Sequence, residues 1–477
     1  MIKFWSVQEI DLSADNLIAA LLRLAKTETV CILDSCGVGH LGSHLLIAGI
    51  DPIEKIEISN DNPDQTLSAL NEKLSGVFAA IFTISYDFGR KLLGIEPHKN
   101  TVEHLYEPDV FIARFDSLVV HDYDSGTTTL VGNAQKFESI QQKLSASPAA
   151  QIAQFPFASS QITSNFTKAE YLAAIGSIQE LIRSGDTYQT NLTQRLAAKL
   201  PDGLTPEIIF SRLRRDHPAP FASFIKRLDS TVVSASPECF FRVEHVPRYR
   251  RPTVREGVGK TKISTSPIKG TRPRGRTAVE DAAFRNELLT SEKDRAENTM
   301  IVDLLRNDLS RIAVPGSVQV EAAFAVETYP TLHQMVSTVR AELAPGADPA
   351  ALIRALFPCG SITGAPKIRA MELIAAHERD ARGAYCGAIG RIDPASARAP
   401  AGLPAGDAAF NVAIRSLRLT PQENSRGRAT LGVGSAVVAD SEWLSEWREC
   451  LLKGGFVLPP VLFPPETSPR LAPVPIL

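Results

Sequence analysis

A lysine in the segment SPIKGTRPRG, residues 266–275, is the first side chain that could do chemistry. Lys269 lies between turn-forming Pro and Gly residues, and two arginines follow it closely. Such a composition is typical of a tight loop rather than the middle of a helix or strand. A lysine amine can act as a covalent nucleophile when it is neutral, but a lysine in a loop is more often a solvated charge. Taken alone, this segment favours the solvated charge.

A group of carboxylates lies in a predicted helix, SEKDRAENTMIVDLLRNDLSRI. Ser291 with Asp294 three residues later predicts the start of this helix. Glu297 lies on the side of its apolar residues, where a carboxylate must be ion-paired, hydrogen-bonded or bound to a metal. An ion pair with a core arginine and a metal site explain this position equally well.

A second predicted helix, in ADSEWLSEWRECLLKGG, begins at Ser441. Its apolar residues share one face, and its charged residues share another. The spacing favours a solvated face with an i,i+4 ion pair between Glu449 and Lys453. A magnesium site would use the same carboxylates, including Glu442 and Glu446, because Mg²⁺ prefers oxygen ligands.

Two further segments could bind the carboxylates of a substrate. PCGSITGAPKIRAMELI is a Gly/Thr loop that runs into a helix, whose first N–H groups can bind an anion, and it lacks P-loop spacing. NVAIRSLRL alternates like a strand and places Arg415 on the face of Ala413 and Leu417. An arginine there needs an anion, either a substrate carboxylate or a structural glutamate. His333 opens the predicted strand HQMVSTV, where a lone histidine is more often structural than catalytic.

The predicted elements around these motifs are longest after residue 165. TYQTNLTQRL is predicted as a strand with Gln189 on its polar face, and STVVSASPECFFRV, which contains Glu238, as a strand pair or hairpin. The basic, Pro/Gly-rich segment that follows Glu238 is predicted to be an exposed loop.

Outside that region the chain is less regular. Residues 1–150 mix shorter elements and end in a Ser/Ala/Pro-rich segment typical of a surface linker. Residues 456–477 are so rich in proline that we expect a disordered tail.

Length and composition exclude several classes of function. The chain has 477 residues, 44% hydrophobic and 22% charged, with a formal net charge of −2. We expect no nucleic acid and no membrane among its partners, because these need a strong basic patch or a long apolar segment. The amino terminus has no signal-peptide pattern, and the six cysteines lack metal-type spacing. We therefore expect reduced, mostly buried thiols and a cytoplasmic location.

Together these motifs resemble the chorismate-utilising enzymes, which include the synthases of anthranilate, aminodeoxychorismate, isochorismate and salicylate. The resemblance runs over residues 165–455 and is carried, in order, by GDTYQTNLTQR, SPECF, PIKGTRPRG, SEKDRAENTMIVDLLRNDL, HQMVSTV, PCGSITGAPKIRAMELI, YCGAIG, IRSL, VVADS and EWRECLLK. Residues 1–150 match more weakly and would form the amino-terminal part of the fold. The resemblance implies an α/β (α+β) fold in which two antiparallel sheets pack face to face with helices outside.

Two positions discriminate within the family. Gln189 is similar to the amine-inserting members, because the water-activating members carry lysine there. PIKGT, with Lys269, resembles the aminodeoxychorismate synthases, whereas the anthranilate synthases have PIAGT. This resemblance implies that Lys269 is a covalent nucleophile and that chorismate and ammonia become 4-amino-4-deoxychorismate, for 4-aminobenzoate and folate synthesis. We find neither a glutaminase signature nor a pyruvate-lyase domain, so a separate glutaminase subunit or solution would supply the ammonia.

The resemblance also implies roles for the other matched residues. Glu238 would protonate the departing C4 hydroxyl, and His333 matches an active-site histidine. Mg²⁺ would be bound by Glu297 and Glu449, with Glu446 nearby. The positions expected to bind substrate are Gln189, Thr363, Gly364, Tyr385, Arg415, Gly434 and Lys453.

Two alternative functions remain open. Anthranilate synthase component I would aminate C2 and release pyruvate, and Lys269 argues against it. A non-catalytic homologue that binds chorismate or tryptophan would be expected to lack Glu238, Glu297 or Glu449, all of which are present. One departure from the family stands out, because Ala436 replaces a glycine of the Gly-x-Gly motif near the substrate carboxylate.

Overall fold

The computed structural model describes ten stretches of the chain: residues 6–39, 44–74, 79–97, 106–145, 162–201, 203–246, 260–329, 332–392, 407–420 and 427–455. The predicted linker before residue 162, most of the basic segment after Glu238 and the Pro-rich tail lie outside these stretches.

Within the described residues, 22 strands form two antiparallel sheets of twelve and ten strands. In chain order the strands are β1 (Ser6–Ile10), β2 (Val30–Asp34), β3 (Leu45–Ile50), β4 (Glu54–Ile58), β5 (Ala79–Ile84), β6 (Val110–Phe115), β7 (Ser117–Asp122), β8 (Thr127–Gly132), β9 (Ile162–Ser164), β10 (Gln189–Lys199), β11 (Phe221–Lys226), β12 (Thr231–Ser236), β13 (Cys239–Val246), β14 (Lys260–Thr265), β15 (Ile268–Pro273), β16 (Gln319–Thr328), β17 (Leu332–Glu342), β18 (Gly364–Ala365), β19 (Ala388–Ile392), β20 (Ala408–Val412), β21 (Ser416–Thr420) and β22 (Arg428–Val437).

Eleven α-helices lie in the same part of the chain. They are α1 (Ala14–Leu24), α2 (Pro63–Leu74), α3 (Tyr86–Leu92), α4 (Phe137–Ser145), α5 (Lys168–Arg183), α6 (Pro206–Asp216), α7 (Ala278–Thr290), α8 (Glu292–Ser310), α9 (Pro349–Leu356), α10 (Lys367–His377) and α11 (Trp443–Leu452).

The strand order shows that both sheets draw on the whole chain. The larger sheet runs β1-β8-β7-β3-β2-β11-β12-β21-β22-β10-β18, with β9 beside β10. The smaller sheet runs β15-β17-β14-β13-β20-β19-β5-β6-β4, with β16 beside β17. The strands β1 to β8 are divided between the two sheets, so the amino-terminal region is built into the same fold as the rest.

The two sheets pack face to face, as the resemblance implied. One apolar cluster combines side chains of both sheets, among them Ile47 and Ile225 of the larger sheet and Phe111, Phe115 and Ile389 of the smaller. Each such buried side chain contributes about 1.5–3 kcal/mol to folding. Two further clusters fill the space between each sheet and the helices on its outer face.

The segment around Glu238 is a crossover between the sheets, so the hairpin prediction is wrong. Strand β12 pairs with β11 and β21 in the larger sheet, whereas β13 pairs with β14 and β20 in the smaller one. The chain passes from one sheet to the other at Pro237, which has no N–H group for a strand ladder. Glu238 therefore lies where the chain enters the second sheet.

The segment of Lys269 is also a strand rather than the predicted loop. Strand β15 is an edge strand, where proline is tolerated because one side of the strand has no ladder to complete. The pairing with β17 shifts between Ile268 and Thr271, which makes Lys269 and Gly270 a β-bulge. Gly270 has φ +87°, and a Cβ there would lie 2.7 Å from a methyl carbon of Leu288. Bulges of this kind redirect side chains beside active sites.

Arg415 lies between two strands and not inside one. Strand β20 ends at Val412 and β21 begins at Ser416, so the predicted continuous strand is wrong. Arg415 has φ +50°, a conformation that a residue with a side chain adopts only where surrounding structure imposes it. This sharp turn interrupts the alternating pattern from which the direction of the Arg415 side chain was predicted.

The two predicted helices are present, with one boundary changed. Helix α8 begins after Ser291, whose hydroxyl accepts a hydrogen bond from the backbone N–H of Asp294, as predicted. Helix α11 begins at Trp443 and is capped by Glu442 rather than by Ser441. The Ser441 hydroxyl instead donates to a carboxylate of the same helix, which is described with the site below.

Candidate active site

Lys269 interacts electrostatically with two of the predicted site carboxylates. It is partly buried on the bulge of β15, and its charge acts on the carboxylates of Glu238 and Glu449. These residues come from an edge strand, a crossover and helix α11, which are far apart in sequence. The solvated-charge interpretation of Lys269 is therefore not favoured by its surroundings.

The Glu238 carboxyl group is buried and only partly satisfied. The residue is 6% exposed, and burial raises the pKa of its carboxyl group, while a hydrogen bond with Ser361 and the charge of Lys269 act in the opposite direction. Its Oε1 atom has no hydrogen-bond partner in the described part of the chain. A carboxyl group whose pKa is raised in this way is suited to act as a general acid.

The loop that contains Thr363 and Gly364 lies against the start of β10. The Thr363 hydroxyl donates to the backbone oxygens of Cys359 and Gly360 at 3.2 Å, so it is used within its own loop. Gly364 has φ +146°, and a Cβ there would lie 2.0 Å from the backbone oxygen of Gln189. Only glycine allows this close approach of two backbone segments.

Gln189 is fully buried at the start of β10, opposite Ala365 of β18. Neither the oxygen nor the nitrogen of its side-chain amide has a hydrogen-bond partner among the described residues. A buried amide without partners costs roughly 1–3 kcal/mol, so a ligand that completes it would be bound with that energy.

Strand β22 and the end of helix α11 carry three more of the predicted site residues. Gly434 of β22 lies opposite Thr193 of β10, and its backbone oxygen accepts a hydrogen bond from Lys453 Nζ at 3.1 Å. Lys453 also forms the predicted ion pair with Glu449, at 2.8 Å. The charges of Lys453, Lys293 and Lys269 outweigh the effect of burial and lower the pKa of Glu449.

Tyr385 and Arg415 lie on two segments that are joined by a backbone hydrogen bond, and the first of these segments packs against strand β22. The backbone N–H of Cys386, next to Tyr385, donates to the oxygen of Ala413, two residues before Arg415. The Tyr385 ring covers β22, where a Cβ on Gly432 would lie 2.0 Å from a ring carbon. Burial lowers the pKa of Arg415, and its guanidinium has no hydrogen-bond or ion-pair partner in the described stretches. The structural glutamate that sequence analysis left open for Arg415 is thus absent there.

His333 has a partner at each ring nitrogen. Its Nδ1 lies 2.9 Å from the Thr328 hydroxyl and its Nε2 lies 3.0 Å from a carboxylate oxygen of Asp281. Asp281 also accepts hydrogen bonds from Arg274 and from the backbone N–H of Gly275. Because both nitrogens are engaged, this geometry favours the structural role over direct proton transfer by His333.

The three predicted metal-binding glutamates differ in their surroundings. Glu446 is buried, which raises the pKa of its carboxyl group, and it accepts a hydrogen bond from Ser441 Oγ at 2.7 Å. It therefore does not lie on the solvated face that the helical pattern favoured. The negative charge of Glu449 acts on Glu446, so these two carboxylates are near one another.

Glu297 is partly buried on α8, one helical turn after Lys293, whose charge acts on Glu449. No group of three or more His, Cys, Asp or Glu side chains in the described residues is arranged to hold a metal ion. Binding of Mg²⁺ by Glu297, Glu446 and Glu449 therefore stays a prediction.

Several residues near the site were missed by sequence analysis. Ser361 contacts Glu238, Lys293 acts on Glu449, and Asp281 contacts His333. Ser361 lies inside a recognised Gly/Thr loop and Lys293 inside a recognised helix, so both segments were noticed without these residues. Nothing in the sequence pattern connects Asp281 to a strand 52 positions further along the chain.

Two chain-wide expectations can also be compared with the structure. All six cysteines are free, and five of them are buried. Among the helices of the described residues, none has the length and apolar content needed to cross a bilayer.

Three comparisons bear on the family. The family model for the chorismate binding enzyme matches residues 28–459. The chain is 35% identical over 382 residues to aminodeoxychorismate synthase component 1 of Salmonella typhimurium, covering 80% of this chain and 76% of that protein. It is 43% identical over 288 residues to the aminodeoxychorismate synthase of Streptomyces griseus, covering 60% of this chain and 36% of that longer protein.

A solved structure agrees with the fold. The crystal structure of anthranilate synthase component I from Streptococcus pneumoniae superposes with a TM-score of 0.68 at 25% identity, over 87% of this chain and 92% of that chain. The family model covers most of the sequence, and the two antiparallel sheets are the architecture that the resemblance implied. The chain belongs to the family of chorismate binding enzymes.

Proposed function

We propose that this chain is an aminodeoxychorismate synthase component that aminates chorismate at C4 and retains the enolpyruvyl group. The observation that carries the proposal is that Lys269 is partly buried and that its charge acts on the carboxylates of both Glu238 and Glu449. The names of the Salmonella typhimurium and Streptomyces griseus relatives support the same activity.

The proposed reaction begins with Lys269. Its neutral amine adds to C2 of the chorismate ring, both ring double bonds shift, from C1=C2 to C1=C6 and from C5=C6 to C4=C5, and the bond between C4 and the hydroxyl oxygen breaks. Glu238 supplies the proton with which the hydroxyl leaves as water; a positioned acid of this kind is typically worth about a hundred- to ten-thousandfold in rate.

Ammonia completes the exchange in a second displacement. It attacks C4, both double bonds return to C5=C6 and C1=C2, and the bond between C2 and the lysine nitrogen breaks. The ammonia nitrogen gives up one proton, and this proton restores Glu238 to its acid form. Overall, chorismate and ammonia give 4-amino-4-deoxychorismate and water.

The other residues of the site would bind the substrate. The unpartnered guanidinium of Arg415 would form a charge-assisted pair with a substrate carboxylate. The unpartnered amide of Gln189 would contact the ring near the incoming ammonia, where a neutral side chain cannot deprotonate water as a lysine does. Lys453 would remain a support for Gly434 and Glu449 at the edge of the site.

Glu297, Glu446 and Glu449 would hold Mg²⁺. Their donor chemistry fits the ion, because Mg²⁺ takes oxygen ligands and a cation would offset the repulsion between Glu446 and Glu449. When bound, the ion would neutralise the ring carboxylate of chorismate. A bound cation would favour the ionised form of Glu446 and so oppose the effect of burial, which raises its pKa.

We further propose a cytoplasmic location and a separate glutaminase as the source of ammonia. The designation component 1 in the name of the Salmonella typhimurium relative supports a second component. In the absence of that partner, ammonium salts at high concentration should replace it.

The test is the identity of the product. The purified chain would be incubated with chorismate, ammonium and Mg²⁺, and the products separated and weighed by mass spectrometry. The expected product retains the enolpyruvyl group and is converted to 4-aminobenzoate by an added lyase. Anthranilate with free pyruvate would reject the proposal in favour of amination at C2, and no turnover with a glutaminase present would favour the non-catalytic homologue.

A further inference from the structure

A buried ion pair lies directly behind the candidate site. Arg382 and Glu378 are joined by two hydrogen bonds of 2.7 and 2.9 Å, and their side chains are 2% and 6% exposed. Neither residue was singled out by the sequence analysis. We propose that this pair is a positioning device that fixes the substrate-binding loop of Thr363 and Gly364 against strand β10.

The incomplete edge of β10 is the first observation behind this proposal. Strand β18 pairs with β10 only at Gln189 and Thr190, and β9 pairs with it only from Leu196 onwards. Between those points no strand of the described residues pairs with this edge of β10. Backbone groups on a buried edge must find other partners.

The ion pair supplies those partners. The Glu378 carboxylate accepts a hydrogen bond from the backbone N–H of Thr193 at 2.7 Å. The Arg382 guanidinium donates to the backbone oxygen of Asn191 at 2.7 Å. Two side chains thus replace a strand along this part of β10.

The same guanidinium reaches the substrate-binding loop. Arg382 donates to the backbone oxygen of Ile362 at 3.0 Å, and the next residue, Thr363, accepts a hydrogen bond from the backbone N–H of Asn191 at 2.8 Å. One planar group therefore joins β10 to the loop at the point where Gly364 contacts Gln189. A lysine could not make these bonds simultaneously, because only arginine has a fixed fork of donors.

The guanidinium is further held by an aromatic ring. Its central carbon lies 4.4 Å from the centroid of Tyr86, over the face of the ring. The Tyr86 hydroxyl has no hydrogen-bond partner among the described residues, so the ring face is the part of Tyr86 that acts on Arg382. The guanidinium thus contacts the Glu378 carboxylate, two backbone oxygens and the Tyr86 ring, and these contacts together fix its orientation.

A neighbouring ion pair serves as a matched control. Arg195 of β10 contacts Asp380 at 3.0 Å, and these side chains are 12% and 1% exposed. It joins the same strand to the same segment after α10, whereas Arg382 in addition donates to the backbone of the loop that contains Thr363. Loss of either pair should weaken the fold, whereas only Arg382 should affect the loop.

The experiment compares Arg382→Lys with Arg195→Lys in the full chain. The proposal rests on the proposed function, so chorismate amination is measured first with the wild-type protein. For Arg382→Lys we expect the KM for chorismate to rise by about tenfold or more, as for the loss of one charge-assisted hydrogen bond, with the KM for ammonium unchanged. Arg195→Lys should leave both KM values unchanged at a comparable melting temperature. Equal effects of the two variants on the KM for chorismate would overturn the proposal.

Hydrogen exchange separates this proposal from the proposed function. In Arg382→Lys, amide exchange should accelerate at Thr363 and Gly364 and at the first residues of β10, and in Arg195→Lys it should not. This result does not depend on the substrate, so it stands even if chorismate is not turned over. Unchanged exchange in the loop would reject the positioning role.

If Arg382→Lys does not fold, two substitutions of Tyr86 test the proposal without changing the ion pair itself. Tyr86→Leu removes the ring face, and we expect the KM for chorismate to rise about threefold through a looser guanidinium. Tyr86→Phe keeps the ring and removes only the unpartnered hydroxyl, so it should behave like the wild type. Identical kinetics for Tyr86→Leu and Tyr86→Phe would contradict the proposal.

Discussion

Two sets of buried polar side chains in this molecule differ in how they are satisfied. In the first set, each charge meets an opposite charge, as in Arg382 with Glu378 and Arg227 with Glu107. In the second set, Gln189 and Arg415 have no partner in the described residues, and Glu238 has one unpartnered oxygen. The first set joins strands and loops to one another, whereas the second set consists of residues that we propose bind or protonate the substrate.

This difference has a physical explanation. A buried polar group without a partner costs roughly 1–3 kcal/mol, so a ligand that completes such a group regains part of that cost on binding. A charged network with all partners present costs little once formed, and loses much when one member is removed. Substitutions in the second set should therefore lower activity strongly and change the free energy of unfolding little. Substitutions in the first set should lower the free energy of unfolding strongly and change activity less.

The largest effect is expected at Lys269. Lys269→Ala should lower kcat for amination by about a thousandfold or more, because it removes the proposed nucleophile. The melting temperature should hardly change, since Lys269 lies on an edge strand and is only partly buried. Steady-state kinetics and thermal melting measure the two effects. Lys262→Ala, which changes an exposed lysine on strand β14, is the control and should keep wild-type activity.

Glu238→Gln should separate activity from stability. We expect kcat to fall by about a hundred- to a thousandfold, because the amide cannot donate the required proton. Burial raises the folded-state pKa of Glu238, so wild-type stability falls as pH rises from about 4.3, the unfolded value, through the folded pKa. The variant lacks this loss and should melt at a higher temperature than the wild type at neutral pH, and at the same temperature below the unfolded pKa. A lower melting temperature at neutral pH would show that the Glu238 carboxylate is satisfied.

Arg415 and Arg227 provide the sharpest contrast between the two sets. Arg415→Met should raise the KM for chorismate about ten- to a hundredfold, because the substrate loses one hydrogen bond between charged groups. We expect no loss of stability. Arg227→Met removes one of the two arginines that pair with the buried carboxylate of Glu107, leaving Arg418 alone, and should cost about 1.5–3 kcal/mol in the free energy of unfolding. Urea unfolding and initial-rate kinetics on both variants test the pair. If Arg415→Met is the more destabilised of the two, the distinction between the sets fails.

The smallest effect is expected at Ser361. Its hydrogen bond lowers the pKa of Glu238, so Ser361→Ala should raise that pKa further. Because the proposed acid must be protonated, the alkaline limb of the pH–rate profile should move to higher pH, with a change in maximal kcat of only about threefold. A profile that moves to lower pH, or does not move, would contradict the role of Glu238 as the acid.

Local patterns predicted the elements of this fold better than the directions of its side chains. The capped start of α8 and the strand that begins at Gln189 follow from hydrogen-bonding residues and periodicity within a few positions. The turn at Arg415 and the crossover before Glu238 depend on which sheet the next strand joins, which alternation does not encode. Lys269 was assigned to a loop because an edge strand with a bulge tolerates the same Pro and Gly residues.

The long-range pairs were beyond the reach of sequence patterns. Asp281 meets His333 from another element, and the two hydrogen bonds by which Glu378 and Arg382 complete the edge of β10 join positions about 190 apart. Single glutamates and arginines of this kind look like surface charges in a sequence, because nothing local marks them as buried. The resemblance of whole motifs suggested the candidate site, and the structure shows the buried ion pairs that hold its segments together.

The central claim is that the unpartnered groups around Lys269 form the chorismate site. The most direct measurement is a crystal structure of Lys269→Ala with chorismate and Mg²⁺, in the absence of ammonia. We expect the chorismate ring beside residue 269, one carboxylate on Arg415, and C4 facing Glu238 and Gln189. Chorismate bound elsewhere, with Arg415 and Gln189 still unpartnered, would contradict the account.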